Sequence, residues 1–368
     1  MAIDRLILNL SMLMRKPTGH SVYIKNVIPK LQALDPAVLI NEAIVPDWQT
    51  QFPDLDLYPV SSRLNPDQGS ISYLYRLLWT QFKLPKQVKK LNGSLLFSPI
   101  PELPLHRSIA GVVTLHDFIP LHFATARSPL YQYYRHYVPR VLHRAQHIIC
   151  VSTATAQDAM EFCQVPAHKL TVIPQGYDRD HFRPLDLPTQ NYVLYVGRPN
   201  PYKNLYRALT AFSKVPGHQK YEFWIAGPAD KRYMPALEGL AWELGVQLRV
   251  LNYVSYDELP KLMNQAIALI FPSQWEGFGL PVLEAMACGT PVITSNLSSM
   301  PEVAGDAALL VNPHDTKDIT QAMTAILKDD RLRADLRDRG LRQVQNFSWE
   351  RTAAETQSLL SSVLMHLP

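Results

Sequence analysis

Two glutamates eight residues apart stand in the stretch of this chain best equipped for chemistry. Residues 267–289 read IALIFPSQWEGFGLPVLEAMACG. A buried strand is expected to end at Phe271-Pro272, and a loop follows with Glu276 set among Gly277 and Gly279. Pro281 suits the first position of a helix, and Gly289 suits its end. Glycines let backbone approach a ligand, and free N–H groups at a helix start favour a phosphate. With Glu284 in the first helical turn, one carboxylate could hold sugar hydroxyls and the other ribose hydroxyls. Taken alone, Glu284 would equally serve as an acid complementing the helix dipole, and Glu276 as an exposed loop acid.

Two further sets of residues complement these carboxylates. In YVGRPNPYKNL, residues 195–205, Gly197 ends a strand, and Arg198 and Lys203 follow in a short loop before a helix. Two cations there fit a diphosphate and would stabilise it as a leaving group. Singly, each would be a solvated loop charge. In TLHDFIPL, residues 114–121, His116 lies just past a buried strand, where a histidine faces a ligand or serves the structure; Asp117 is expected to turn the loop or orient it.

Such loops need rigid strands to position them. Apolar runs without polar alternation recur between helical patterns: 6–10, 38–45, 95–97, 110–115, 148–151 and 170–173, then 192–196, 223–226, 248–254, 267–271, 291–294 and 307–311. That pattern predicts parallel strands covered on both faces, hence two α/β, doubly wound, Rossmann-like domains. Residues 178–190 carry three acids, two arginines and two prolines with little to bury, which suits a linker. The expected division is 1–177 for the first domain, 178–190 for the linker, 191–347 for the second domain, and 348–368 for a final amphipathic helix. Two such sheets imply a cleft between them.

Bulk properties narrow the class. A length of 368 residues favours two domains over one core. A net charge of +4 is mild for this length and does not imply nucleic acid; it suits anionic ligands. Three scattered cysteines make a disulfide framework improbable and favour a reducing cytosol. The apolar start, 6–14, reads as a first strand rather than a signal sequence, and no run approaches a membrane span.

The string EGFGLPVLEAMACGTPVI, continued through SNLSSMPEVAGDAALLVNPHD, resembles the signature of the retaining glycosyltransferases of family 4. HIICVSTATAQDAM and LTVIPQGYD add to the likeness near the end of the first half. The resemblance implies the GT-B fold of two facing Rossmann-like domains, with 1–177 binding the acceptor, 191–347 the donor and the helix 348–368 crossing back to the first domain, and transfer of a hexose from a nucleoside-diphosphate sugar to a hydroxyl acceptor. It gives Glu276 and His116 to the transferred sugar, Arg198 and Lys203 to the diphosphate, and Glu284 to the ribose. Gly197, Gly277, Phe278, Gly279 and Leu280 would line the donor, and Asn252, Tyr253 and Val254, at the end of the run 248–254, are the candidates to meet the base. HDFIPL with GRPNPYKNL leans towards a mannosyltransferase-like member acting in polysaccharide, lipopolysaccharide or glycolipid assembly. The donor is then GDP-mannose or a UDP-hexose, and the acceptor a glycan or lipid-linked glycan.

The segment PTGHSVY, 17–23, resembles the family's loop after the first strand, which implies Gly19 and Tyr23 as acceptor or phosphate contacts; Ser21 and Val22 replace the usual glycine and arginine, and the segment would equally serve as an ordinary strand-to-helix turn. No metal or other cofactor is expected: the D-x-D pairs at Asp54–Asp56 and Asp178–Asp180 read as a surface loop and the linker. Residues 71–90 combine Arg76, Lys83, Lys86, Lys89 and Lys90 with four aromatics and no acid. That suits a helix lying on anionic lipid at the inner membrane face or one covering the sheet. Alternatives to a transferase are a GT-B sugar-nucleotide epimerase or hydrolase, and a non-catalytic nucleotide-sugar-binding subunit.

Overall fold

The computed structural model describes residues 5–14, 19–65, 70–106 and 109–367. The chain forms two compact units. One comprises Met1–Gly176 with Trp349–Pro368, and the other Tyr177–Ser348.

The first unit is built on a seven-stranded parallel sheet. Its strands are β1 (Arg5–Leu10), β2 (Ala37–Asn41), β3 (Asp56–Val60), β4 (Gly93–Ser98), β5 (Ala110–Leu115), β6 (His147–Cys150) and β7 (Leu170–Val172). Their order is β3-β2-β1-β4-β5-β6-β7, so the sheet grows outward in both directions from β1 and β4. β2 is buried at every position and β1 at all but its first, as strands covered on both faces must be. One face packs Ile7, Leu39, Leu96, Val113 and Leu115 against Trp79, Leu84 and Val88. Across the other face, Tyr23 of the helix Gly19–Val27 packs against Trp349 at 6.3 Å between rings. Trp349 begins the last helix, Trp349–Met365. Thr352 Oγ1 donates to Pro174 O at 2.7 Å, and Glu350 pairs with Lys30 at 3.1 Å.

Three details differ from the sequence reading. The run 38–45 stops being strand at Asn41, and a helix with proline in its first turn begins at Val45. The Asp54–Asp56 pair does not lie wholly in a loop, because Asp56 opens β3 and pairs with Arg5. β3 escapes notice because it is largely exposed and contains Pro59, which is tolerated at this sheet edge. Residues 71–90 fall in two helices, Ser70–Phe82 and Leu84–Lys90, with Pro85 in the first turn of the second.

The second unit holds a six-stranded parallel sheet: β8 (Tyr192–Val196), β9 (Glu222–Ala226), β10 (Leu248–Asn252), β11 (Ala268–Phe271), β12 (Val292–Ser295) and β13 (Leu309–Val311). The order is β10-β9-β8-β11-β12-β13, so chain direction across the sheet reverses between β8 and β11. Open α/β sheets bind ligands at the strand carboxyl ends of such a switch point. Residues 178–190 pack on this unit: Phe182 is buried, His181 stacks on Tyr256 at 3.8 Å, and Leu185 N donates to Asn264 Oδ1 at 2.6 Å. Among the described residues no helix is long and apolar enough to cross a membrane.

Candidate active site

In the second unit, the loops after β8 and β11 meet at the switch point. β8 runs into Gly197, whose φ of 137° allows a sharp exit, and Gly197 N donates to Ala226 O at 2.8 Å. The neighbouring Gly227 lies so close that a Cβ there would sit 2.2 Å from Gly197 O. After the turn Pro201–Lys203, Asn204 takes a left-handed conformation at φ 66°. Its amide donates to Pro272 O at 3.0 Å and Pro313 O at 2.7 Å, tying this loop to the end of β11. Gln274 N adds a bond to Tyr202 O at 2.8 Å.

This stitching brings Lys203 and Glu276 into an ion pair between Nζ and Oε1. Both side chains are largely buried, 15% and 9% exposed, so the pair is little weakened by solvent. Lys203 Nζ also stands 5.0 Å from the Phe271 ring centre. The Glu276 loop is fixed from behind: Ser299 Oγ donates to the carbonyls of Glu276 at 3.0 Å and Phe278 at 2.8 Å, and Ser298 Oγ to the Glu276 carbonyl. Arg198 is exposed, and its charge helps hold the Asp230 carboxyl down, behind the larger effect of Arg232.

Gly279 precedes the helix Leu280–Ala287 with a φ of 112°, and Pro281 sits in its first turn. Glu284 is the fifth residue of that helix, not a member of its first turn, so it is not a helix-start acid. Burial pushes its carboxyl up to about 7, and the charge of Asp178 adds to this. Phe278 is buried and packs its ring against Phe347 at 5.9 Å. Leu280 and Gly277 are half-buried beside it, and Val254 is half-buried beyond β10.

The first unit has its own polar cluster at strand carboxyl ends. His116 follows β5 and is 8% exposed. Its Nε2 donates to Pro99 O at 2.9 Å, and its Nδ1 accepts from Gln175 Nε2 at 3.3 Å, which assigns the neutral tautomer. Burial and the adjacent His20 hold its pKa well below the ordinary value. The His20 ring stands edge-on at 4.4 Å, and burial with the charge of Arg76 lowers its pKa to about 4. Both imidazoles are therefore neutral at pH 7. Asp117 Oδ1 accepts the Ile119 N–H at 2.9 Å, bracing the loop.

Gly19 is exposed at the start of its helix, whereas Tyr23 is fully buried. The Tyr23 hydroxyl meets Thr114 Oγ1 at 3.2 Å and its ring stands 5.1 Å from His116. Tyr23 thus supports His116 from within the unit. Pro17 and Thr18 of the same segment lie outside the described residues.

Arg76, counted with the basic face in the sequence, is instead buried and paired with Glu102 at 2.8 Å, their side chains 6% and 4% exposed. Tyr133 donates to Glu102 at 3.2 Å from a π-helical turn, Tyr133–Tyr137. His20, Gln175, the Arg76–Glu102 pair and the Ser298–Ser299 brace all escaped the sequence reading, since each depends on contacts far apart in the chain. The D-x-D segments are engaged locally. Asp56 accepts from Tyr58, and Asp178 accepts from the backbone of Asp180 and His181 and from Tyr256. Among the described residues no three His, Cys, Asp or Glu side chains cluster as metal ligands would.

Both halves of the chain match known protein families. Residues 178–343 match Glycosyl transferases group 1, and residues 17–181 match Glycosyltransferase Family 4. O-antigen chain mannosyltransferase B of Escherichia coli is 31% identical over 68% of this chain and 70% of its own length. O-antigen chain mannosyltransferase RfbU of Salmonella typhimurium is 29% identical over 87% and 90%. The fold is also that of Anabaena HepE, solved in complex with UDP and glucose, with a TM-score of 0.76, 17% identity and coverage of 98% and 100%. The chain belongs to the family 4 glycosyltransferases and has their GT-B fold.

Proposed function

We propose that this glycosyltransferase moves mannose from GDP-mannose to a hydroxyl of a glycan or lipid-linked glycan, retaining the anomeric configuration and using no metal. The observation that carries this reading is the buried Lys203–Glu276 pair, which sets a carboxylate and an ammonium side by side at the switch point. In the proposed roles, Glu276 accepts hydroxyls of the donor sugar, while Lys203 and Arg198 meet the diphosphate and stabilise it as the glycosidic bond breaks. Glu284 holds the ribose, the backbone from Gly277 to Leu280 follows the donor, and the loop at Val254 meets the base. His116, kept neutral and oriented by Pro99 and Gln175, contacts the transferred sugar. Gly19 serves the acceptor side, and Tyr23 acts through His116. The two O-antigen chain mannosyltransferase relatives favour mannose, in O-antigen or related polysaccharide assembly.

The test is incubation with radiolabelled GDP-mannose, UDP-glucose and UDP-N-acetylglucosamine, with mannoside acceptors, followed by NMR of the product's anomeric proton. Transfer from GDP-mannose with an α-linked product supports the proposal. Epimerisation or release without acceptor would favour the epimerase or hydrolase reading instead.

Peripheral contact with the inner membrane face forms part of the proposal. On the helix Ser70–Phe82, Leu74, Leu78 and Phe82 recur at four-residue spacing and are 58%, 48% and 67% exposed. Lys83, Lys86, Lys89 and Lys90 follow, all exposed. An apolar stripe beside a basic cluster suits anionic lipid. Sedimentation with phosphatidylglycerol vesicles should fall in Leu78→Glu/Phe82→Glu; equal sedimentation of both proteins would remove the membrane role.

A further inference from the structure

Beyond the strand ends of β1 and β2, the first unit has a cavity of about 350 Å³ lined by Met14, Lys25, Ile44, Asp47, Trp48 and Gln51. Neither the donor roles nor His116 accounts for it. Trp48 is 1% exposed and its indole N–H has no partner, a condition that buried donors rarely tolerate. Lys25, Asp47 and Gln51 are exposed, so the cavity offers donors and acceptors around a partly apolar wall. A carboxylate, an amide and an ammonium around the half-buried Met14 and the edges of Ile44 and Trp48 match the polar edge of a neutral pyranose. Asp47 disfavours a phosphate there.

A second, independent observation lies in the strands between the cavity and β5. The pairing Leu10↔Ile40 places Ser11 beside Asn41, and Leu8↔Phe97 places Asn9 beside Ser98. All four are fully buried, yet Asn9 Nδ2, Ser11 Oγ, Asn41 Nδ2 and Ser98 Oγ have no partner. Unmatched polar groups therefore run from β2 across β1 to β4, one strand short of β5, which carries His116. At ~4.8 Å per strand the cavity stands roughly 12 Å from β5, further than one sugar ring reaches.

We propose that this cavity binds a neutral sugar residue of the acceptor remote from the reacting hydroxyl, so that the preferred acceptor is an oligosaccharide. This rests on the transferase reading above. The probe is methyl α-mannotrioside, followed by saturation-transfer NMR against wild type and the surface variants Asp47→Asn and Gln51→Ala. The expected result is binding to wild type, weakened about tenfold or more in Asp47→Asn, and unaffected by millimolar inorganic phosphate. In transfer assays the trioside should have a kcat/KM at least about tenfold above methyl α-mannoside. Asp47→Asn should erase that advantage through KM, with kcat and the monosaccharide unchanged. Equal binding to wild type and Asp47→Asn, displacement by phosphate, or equal kcat/KM for both acceptors would overturn the inference. If no donor is turned over, the proposed function fails, while the NMR comparison still decides the cavity.

Discussion

Replacing Glu284 by glutamine should stabilise the protein at neutral pH. Burial and the Asp178 charge raise the Glu284 carboxyl from 4.5 to about 7, a difference worth about 3 kcal/mol. Between those values the folded chain keeps a proton that the unfolded chain has released. Wild-type stability therefore falls as pH rises from 4.5 to 7 and levels off above that. Glutamine has no such proton to lose, so urea unfolding at pH 8 should show Glu284→Gln gaining up to about 3 kcal/mol on wild type relative to pH 4.5. A bound ribose diol would donate to the carboxylate and favour its charged form. Donor affinity of wild type should consequently rise with pH through 7, and that of Glu284→Gln should be weak and flat. A stability difference that does not change with pH would refute the reasoning.

Lys203→Met should cost about 3 kcal/mol by leaving Glu276 buried and unpaired, and Lys203→Met/Glu276→Gln should regain most of it by calorimetry without regaining transfer. Arg76→Met should cost about 3–5 kcal/mol for the same reason at Glu102, and adding Glu102→Leu should restore most of the melting temperature. Gly227→Ala forces a Cβ to within 2.2 Å of Gly197 O. It should destabilise by about 3 kcal/mol and weaken nucleotide binding in titration calorimetry, because β8 must shift.

Much of this architecture was legible because buried parallel strands leave unbroken apolar runs, as at β5 and β8. His116 follows such a run directly, and Lys203 and Glu276 stand in the loops that leave β8 and β11, so the sequence placed all three beyond strand carboxyl ends. β3 was hidden by its exposed, proline-bearing edge position. Glu284 was placed one residue too near the helix start because Pro281 was read as the first helical residue, while the helix starts at Leu280. Arg76 looked like a surface charge because its partner Glu102 lies 26 residues away, and helical spacing alone does not separate a buried cation from a solvated one. Asp178 looked like linker for a similar reason: its effect on Glu284 arises only when the two segments pack in one unit.

Titration of GDP-mannose into wild type, Lys203→Met and Glu276→Gln/Lys203→Met, alongside transfer assays, asks whether the Lys203–Glu276 pair holds the donor. Wild type should show saturable binding and transfer, with both lost or reduced at least about tenfold in the two variants. Unchanged binding and turnover in the variants, or no nucleotide sugar bound by wild type, would contradict that role.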